Sequence, residues 1–311
     1  MTPLRYAVES PRSLRTPDGA LLRVFLRGPD DAPLTVVLCH GWFLSSDTWR
    51  LQVSALFSGR SGIEPGRVRV VRWEQRGHAG STLGARRVDG GLLGAGLAAV
   101  IREFAPTGPV VLGGHCVGGV AVCALAAAHP DLVADRVRGL LLVSVPSGRP
   151  APEGPGLPRA ARVSALARRG VLGALAALPG PVEHLRALLP AHWSAHQALV
   201  RRTLFGRHAD PMLVRECAEL LHATPTAVIA AFRPEVVASG APRFPTALRD
   251  VAVRIMLGEE DRLTPAHHGD ALARALPDAR LDLLPGVGHV PMLESPRLVE
   301  ERLAELCRAA L

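Results

Sequence analysis

The residues best suited to chemistry lie in one stretch, VVLGGHCVGGVAVCALAAAHP, at positions 110–130. An apolar run that reads as a buried strand leads into Gly114-His115-Cys116-Val117-Gly118-Gly119, and a small-residue segment that reads as a helix follows. A strand turning sharply into a helix strains the backbone at its apex, so the neighbours must be tiny, as Gly114, Gly118 and Gly119 are. Cys116 at that apex sits before a helix N-terminus, whose partial positive charge favours a thiolate. Attack by such a thiolate on an ester carbonyl gives a thioester acyl-enzyme, itself activated for transfer to an alcohol, amine, thiol or water.

Other eye-catching residues read as structural. The five cysteines (39, 116, 123, 217 and 307) are odd in number and have no CxxC spacing, which argues against a disulfide framework or a zinc site and for a reducing compartment. Cys39 and Cys123 lie in apolar runs and read as core. His192 and His196 are four apart on a helical run, but no Glu beside His192 completes an HExxH pattern, so they read as a solvated pair. Neither a P-loop nor a dinucleotide-binding glycine fingerprint is present.

The elements around Cys116 form a recurrent pattern. SLRTPDGALLRVFLRG reads as a hairpin about Asp18-Gly19; TVVLCHGW, PVVLGG and VRGLLLVSV read as buried strands, and GRVRVVRW, VAVRIMLG and ARLDLLPG as further strands. Between them lie helical runs: SSDTWRLQVSALF, capped by Ser45 or Ser46; GGLLGAGLAAVIREFAP, despite its glycines; and the closing SPRLVEERLAELCRAAL. Such alternation predicts a mostly parallel sheet with helices on both faces. Residues 147–245 break the rhythm with a Pro/Gly-rich start, then helical runs such as RVSALARRGVLGALAALPG and PMLVRECAELLHATPTAVIAAF. They read as a helical insertion between two core strands, with an independent helical domain as the alternative.

Four motifs in order, each at a predicted strand end, give the chain its resemblance to the α/β-hydrolase superfamily, and above all to its capped esterase, epoxide-hydrolase and haloperoxidase-like branches. They are HGW (40–42), RGHAGS (76–81), GHCVGG (114–119), and GEEDRLTP (258–265) paired with GVGHVPMLESP (286–296). The resemblance covers nearly the whole chain. It implies an α/β-hydrolase fold with core residues 1–146 and 246–311 and a helical cap from 147–245. It also implies a triad of Cys116 as nucleophile, Asp261 as acid and His289 as base, with Glu259 and Glu260 as rivals for the acid. The backbone N–H groups of Trp42 and Val117 would form an oxyanion hole, and His115 and Phe43 are candidate pocket residues. His78 reads as a loop-structuring residue. RGHAGS departs from the superfamily's Asp-x-Arg-Gly-His-Gly form, with Glu74 for the Asp and Ala79 for the last Gly.

Cysteine in the serine position reads as a working thiol, because the base and the acid both remain; dienelactone hydrolases and polyester synthases in the superfamily also use cysteine there. The reaction class that follows is hydrolysis or acyl transfer on a hydrophobic ester, lactone or thioester. A non-hydrolytic lyase or a ligand-binding receptor on the same scaffold is the alternative. The expected partner is a small hydrophobic acyl substrate, a carrier-bound thioester being one form of it, with no cofactor and no metal. The formal charge of +8 comes from arginine alone, scattered rather than clustered, so no nucleic-acid partner is expected. No apolar run approaches the roughly 18 residues of a membrane span, and MTPLRYAVESPRS lacks a signal-peptide apolar region, so a cytoplasmic location is expected.

Overall fold

The computed structural model describes residues 11–147, 179–188, 190, 193–232, 246–248 and 251–311. Its first two strands, β1 (Arg12–Arg15) and β2 (Leu21–Arg27), form the expected hairpin, with Gly19 at φ 83° in the turn. β3 (Leu34–Cys39) follows, then a 3₁₀ turn at Ser46–Trp49 that runs into α1 (Arg50–Phe57). The serine cap expected here is not made. Ser45 occupies the cap position without a side-chain bond, and Ser46 Oγ–H donates instead to Glu74 at 2.7 Å, the carboxylate being the stronger acceptor.

β4 (Val68–Trp73), α2 (Gly90–Phe104), β5 (Val110–His115), α3 (Val117–Ala128), α4 (Pro130–Arg136) and β6 (Val137–Val143) come next. The glycines of α2 are tolerated because the helix lies tight against α3. A Cβ on Gly94 would stand 2.7 Å from the backbone of Ala124 and Leu125. The described part of the insertion is helical: α5 (Pro179–Ala187), α6 (Ser194–Leu204), α7 (Pro211–Ala223) and α8 (Thr226–Ala231), with no strand among its described residues. The run predicted over 211–232 is two helices, because Pro225 lacks the N–H that would carry α7 onward. The run predicted over 162–180 lies mostly outside the described residues, as does His192. The chain closes with β7 (Ala252–Gly258), α9 (His267–Ala275), β8 (Arg280–Leu284), the short α10 (Pro291–Glu294) and α11 (Pro296–Ala310).

The eight strands make one sheet in the order β1-β2-β4-β3-β5-β6-β7-β8. β2 runs against both its neighbours, and all pairs from β4 to β8 are parallel. β3 and β5 are buried along their whole length, and the period-2 alternation sends their side chains to two cores. Val37, Cys39 and Leu112 face the helices α2 and α3, whereas Val36, Leu38 and Val111 face α1 and α11. This is the mostly parallel sheet flanked by helices that the sequence implied. Among the described residues no single helix is long and apolar enough to cross a membrane. The parallel strands end on the same edge, which brings the loops after β3, β4, β5, β7 and β8 together.

Candidate active site

Cys116 sits between β5 and α3 at φ 50°, ψ −113°, a conformation rare outside glycine. Its N–H donates to Val143 O at 3.0 Å, which fixes the apex to the neighbouring strand. The glycines around it are sterically obligatory. A Cβ on Gly118 would lie 2.4 Å from Cys39 O, and one on Gly119 would lie 2.1 Å from Val145 Cγ2. Cys116 is partly exposed, whereas Cys39, Cys123, Cys217 and Cys307 are buried. Burial pushes each of those four thiols up to about 12.

His289 lies in the loop between β8 and α10. Its Nδ1–H donates to Asp261 Oδ2 at 2.9 Å, and the Cys116 sulfur lies near enough to the ring to act on its protonation. Burial works to lower the His289 pKa, but the Asp261 carboxylate and the Cys116 sulfur outweigh it, so the net shift is upward. Asp261 is held down at about 2: burial opposes ionisation, and His289 and Thr264 overcome it. Its Oδ1 accepts the N–H groups of Leu263 and Thr264, both at 2.8 Å, and its Oδ2 also accepts the Thr264 hydroxyl. Among the three carboxylates considered, Asp261 is the one bonded to His289. Glu260 turns away to Arg207, accepting its N–H at 2.8 Å and its guanidinium, and Glu259 is exposed.

The loop after β3 passes over the elbow. A Cβ on Gly41 would fall 3.3 Å from Cys116 Cβ and 2.4 Å from His115 Nδ1, so only glycine allows this approach. Neither Trp42 N–H nor Val117 N–H has a backbone or side-chain acceptor among the described residues. The loop is braced by the 74–81 segment. Gln75 N–H donates to His40 Nε2 at 2.9 Å, Gln75 Nε2 donates to His40 O at 2.7 Å, and Phe43 N–H donates to His78 Nε2 at 3.1 Å. Phe43 is buried and held at φ 47° by that bond. His78 returns its Nδ1–H to Arg76 O at 2.9 Å, and burial drives its pKa down to about 3, so it is a neutral brace. Ala79 stands at φ 40°, where the superfamily's glycine would be unstrained, and Glu74 reaches Ser46.

His115 is wholly buried. Its Nε2–H donates to His289 O at 2.8 Å, with the two rings 4.9 Å apart. Burial and the neighbouring His289 charge push its pKa down to about 3, so it is a neutral prop behind His289. His196, read as solvated, is half-buried with its Nε2–H donating to Ala218 O at 2.9 Å. Sequence reasoning did not single out Thr264, Gln75 or Glu294, although all three lie in or beside the quoted motifs.

The family model described as the alpha/beta hydrolase family matches residues 36–302. No curated protein matches the sequence at a significant level. Among solved structures, a thermophilic esterase from Thermogutta terrifontis is 20% identical with a TM-score of 0.69, over 97% of this chain and 100% of that one. A bromoperoxidase from Bacillus anthracis is 16% identical with a TM-score of 0.71, over 96% and 100%. Est816, described as an N-acyl homoserine lactone degrading enzyme, is 20% identical with a TM-score of 0.67, over 94% and 99%. At these identities the likeness is one of fold. Because the family match runs from β3 to α11 and takes in every loop of the site, the chain belongs to the alpha/beta hydrolase family.

Proposed function

We propose that this hydrolase is cysteine-dependent and cleaves a hydrophobic ester, lactone or thioester through a thioester acyl-enzyme. The observation that carries the reading is a strained, partly exposed Cys116 beside an imidazole that Asp261 bonds at Nδ1. In the first half-reaction His289 Nε2 takes the Cys116 proton and the sulfur adds to the substrate carbonyl carbon. The resulting oxyanion accepts the N–H groups of Trp42 and Val117, a donor pair that contributes on the order of 3 kcal/mol each to the transition state. Collapse breaks the bond to the leaving group, which departs with the proton that His289 holds, and the acyl group stays on sulfur. In the second half-reaction His289 deprotonates water, the carbonyl is attacked, and the acid leaves as the thiolate re-forms. An alcohol or amine in place of that water makes the outcome acyl transfer or cyclisation.

Residues 147–245 serve in this reading as a cap. Their described helices already touch two loops of the site: Leu204 O accepts His289 N–H at 2.6 Å, and the Phe232 ring lies 4.8 Å from that of His78. A segment rich in Ala, Leu and Val suits an apolar acyl group. The esterase and lactone-degrading names of structures with this fold favour carboxylic ester and lactone substrates.

Intact-mass measurement with a panel of acyl esters, lactones and thioesters tests the reading. Wild-type protein should gain one acyl mass, lost on hydrolysis, and Cys116→Ala should neither gain it nor turn over. Mild iodoacetamide should label Cys116 alone, since the other four thiols are buried. Full activity in Cys116→Ala on the native substrate would hand the assignment to the lyase or receptor reading.

A further inference from the structure

His289 owes its position to more than the core strands. On one side its loop rests on the end of β7, where a Cβ on Gly258 would stand 2.1 Å from Val287 O and 2.2 Å from Gly288 O. On the other side the turn between α6 and α7 presses equally close. A Cβ on Gly288 would stand 2.5 Å from Leu204 O, and one on Gly206 would stand 2.0 Å from Gly286 O. Two backbones from distant parts of the chain are therefore packed face to face with no side chain between them. One carboxylate joins them. Glu294, at the end of α10, accepts Gly288 N–H at 2.9 Å on Oε1 and Gly206 N–H at 2.7 Å on Oε2.

Glu294 has no cation paired with it among the described residues, and its partners are backbone N–H groups from the two segments it bridges. Burial raises its pKa, so keeping a carboxylate here costs free energy that the bridge offsets. A carboxylate used only to finish α10 would not need to reach Gly206.

We propose that Glu294 is a positioning residue for His289: it fastens the α6–α7 turn to the base loop, so that the base is correctly placed only when the inserted helices are docked. The joint sits one residue from the imidazole, and it acts together with the Leu204 O bond to His289 N–H. Displacement of a reacting group by about 1 Å can cost roughly 100-fold in rate. The inserted segment thus becomes part of the catalytic apparatus as well as a cover. This inference rests on the reading of His289 as the base.

The test uses the full chain with p-nitrophenyl butyrate, in Glu294→Gln, Glu294→Ala and Gly206→Ala. Gln matches Glu in size but cannot accept on both arms, so it keeps the fold while breaking one half of the bridge. For Glu294→Gln and Gly206→Ala, kcat should fall by about 10- to 100-fold with KM within about twofold. The downfield proton NMR signal of His289 Nδ1–H should move or broaden in both. Arg215→Ala, which removes an exposed pair with Glu219 on α7, is the control and should change neither readout. If Glu294→Ala does not fold, Glu294→Gln decides. Unchanged kcat and an unchanged Nδ1–H signal in folded Glu294→Gln would overturn the proposal and leave the bridge as a fastening for the helices alone. Wild-type protein that fails to hydrolyse any ester would sink the reading of His289 as base instead, and the NMR signal would then judge the bridge by itself.

Discussion

Cys116 and His289 are positioned in opposite ways. At the elbow, nearly everything that fixes Cys116 comes from its immediate neighbours in the chain: β5 before it, α3 after it, and glycines at 114, 118 and 119. The remote contacts are with neighbouring core strands and the loop after β3: Val143 O, the Cys39 backbone against Gly118, Val145 against Gly119, and Gly41 beside Cys116. The loop that carries His289 is assembled from afar. His289 is held by Asp261 from the β7 loop, His115 from the elbow and Leu204 from the inserted helices, and Glu294 steadies the residue before it. A local turn is specified by sterics that act whatever the rest of the fold does, whereas an assembled loop depends on several segments arriving together. Substitutions should therefore divide accordingly: elbow changes should act on folding, and changes in the base assembly should act on rate.

The largest effect should come from Asp261→Asn. An amide there leaves the loop intact but favours the wrong tautomer of His289, and kcat should fall by about 10⁴-fold while the melting temperature moves little. Near-normal turnover, with collapse in Glu260→Gln, would reverse the choice of acid and weaken the picture of an assembled base.

Gly118→Ala is the converse experiment. Its Cβ would meet the Cys39 backbone at 2.4 Å, so the elbow cannot form without shifting β3. Destabilisation on the order of 3 kcal/mol or more is expected, read by denaturant unfolding. A stable protein with normal unfolding and reduced rate would blur the proposed division.

The brace behind the Trp42 loop gives a third, smaller test. Asp18 in the β1–β2 turn accepts two hydrogen bonds from Arg76, at 2.8 and 2.9 Å, with both side chains almost fully buried. Burial alone would raise the Asp18 pKa, but Arg76 and Thr16 bring it down to about 2. A carboxyl whose folded pKa is depressed stabilises the fold above its ordinary value of 3.8, and that stabilisation is lost as the pH falls toward 2. Asp18→Asn should thus cost about 3 kcal/mol at neutral pH, by stranding a buried guanidinium, and should flatten the acid limb of the melting curve. An acid limb identical to wild type would show that this pair does not brace the loop.

The smallest effect is a gain. Ala79 occupies a left-handed conformation at φ 40°, so Ala79→Gly should raise stability by up to about 1 kcal/mol, and no rate change is expected. A loss of stability would mean that the alanine methyl packs more usefully than its backbone strain costs.

The same contrast governs what could be read in advance. Periodicity and Gly/Pro punctuation exposed the hairpin at Asp18-Gly19, the strands and the closing helix, because strand patterning and turn geometry act over a few residues. The helix run over 211–232 was legible as helix but not as two, and the Ser46 cap was lost to Glu74, a competitor 28 residues away.

For the site, the sequence by itself determined the elbow: Gly-His-Cys-Val-Gly-Gly between a buried strand and a small-residue helix leaves Cys116 one backbone conformation, since hard-sphere contacts exclude the others. It also put Asp261 and His289 in motifs at strand ends. Tertiary structure alone decided which carboxylate meets the imidazole, because Asp261, Glu260 and Glu259 are adjacent in sequence and differ only in where the turn after β7 points them. It also separated His78, His115 and His289, all buried. The first two turn their rings to backbone groups and stay neutral, and the third faces a carboxylate and a sulfur and is driven the other way. Burial is common to all three, so the charge that surrounds each ring makes the difference, and that charge is supplied by residues far away in the chain.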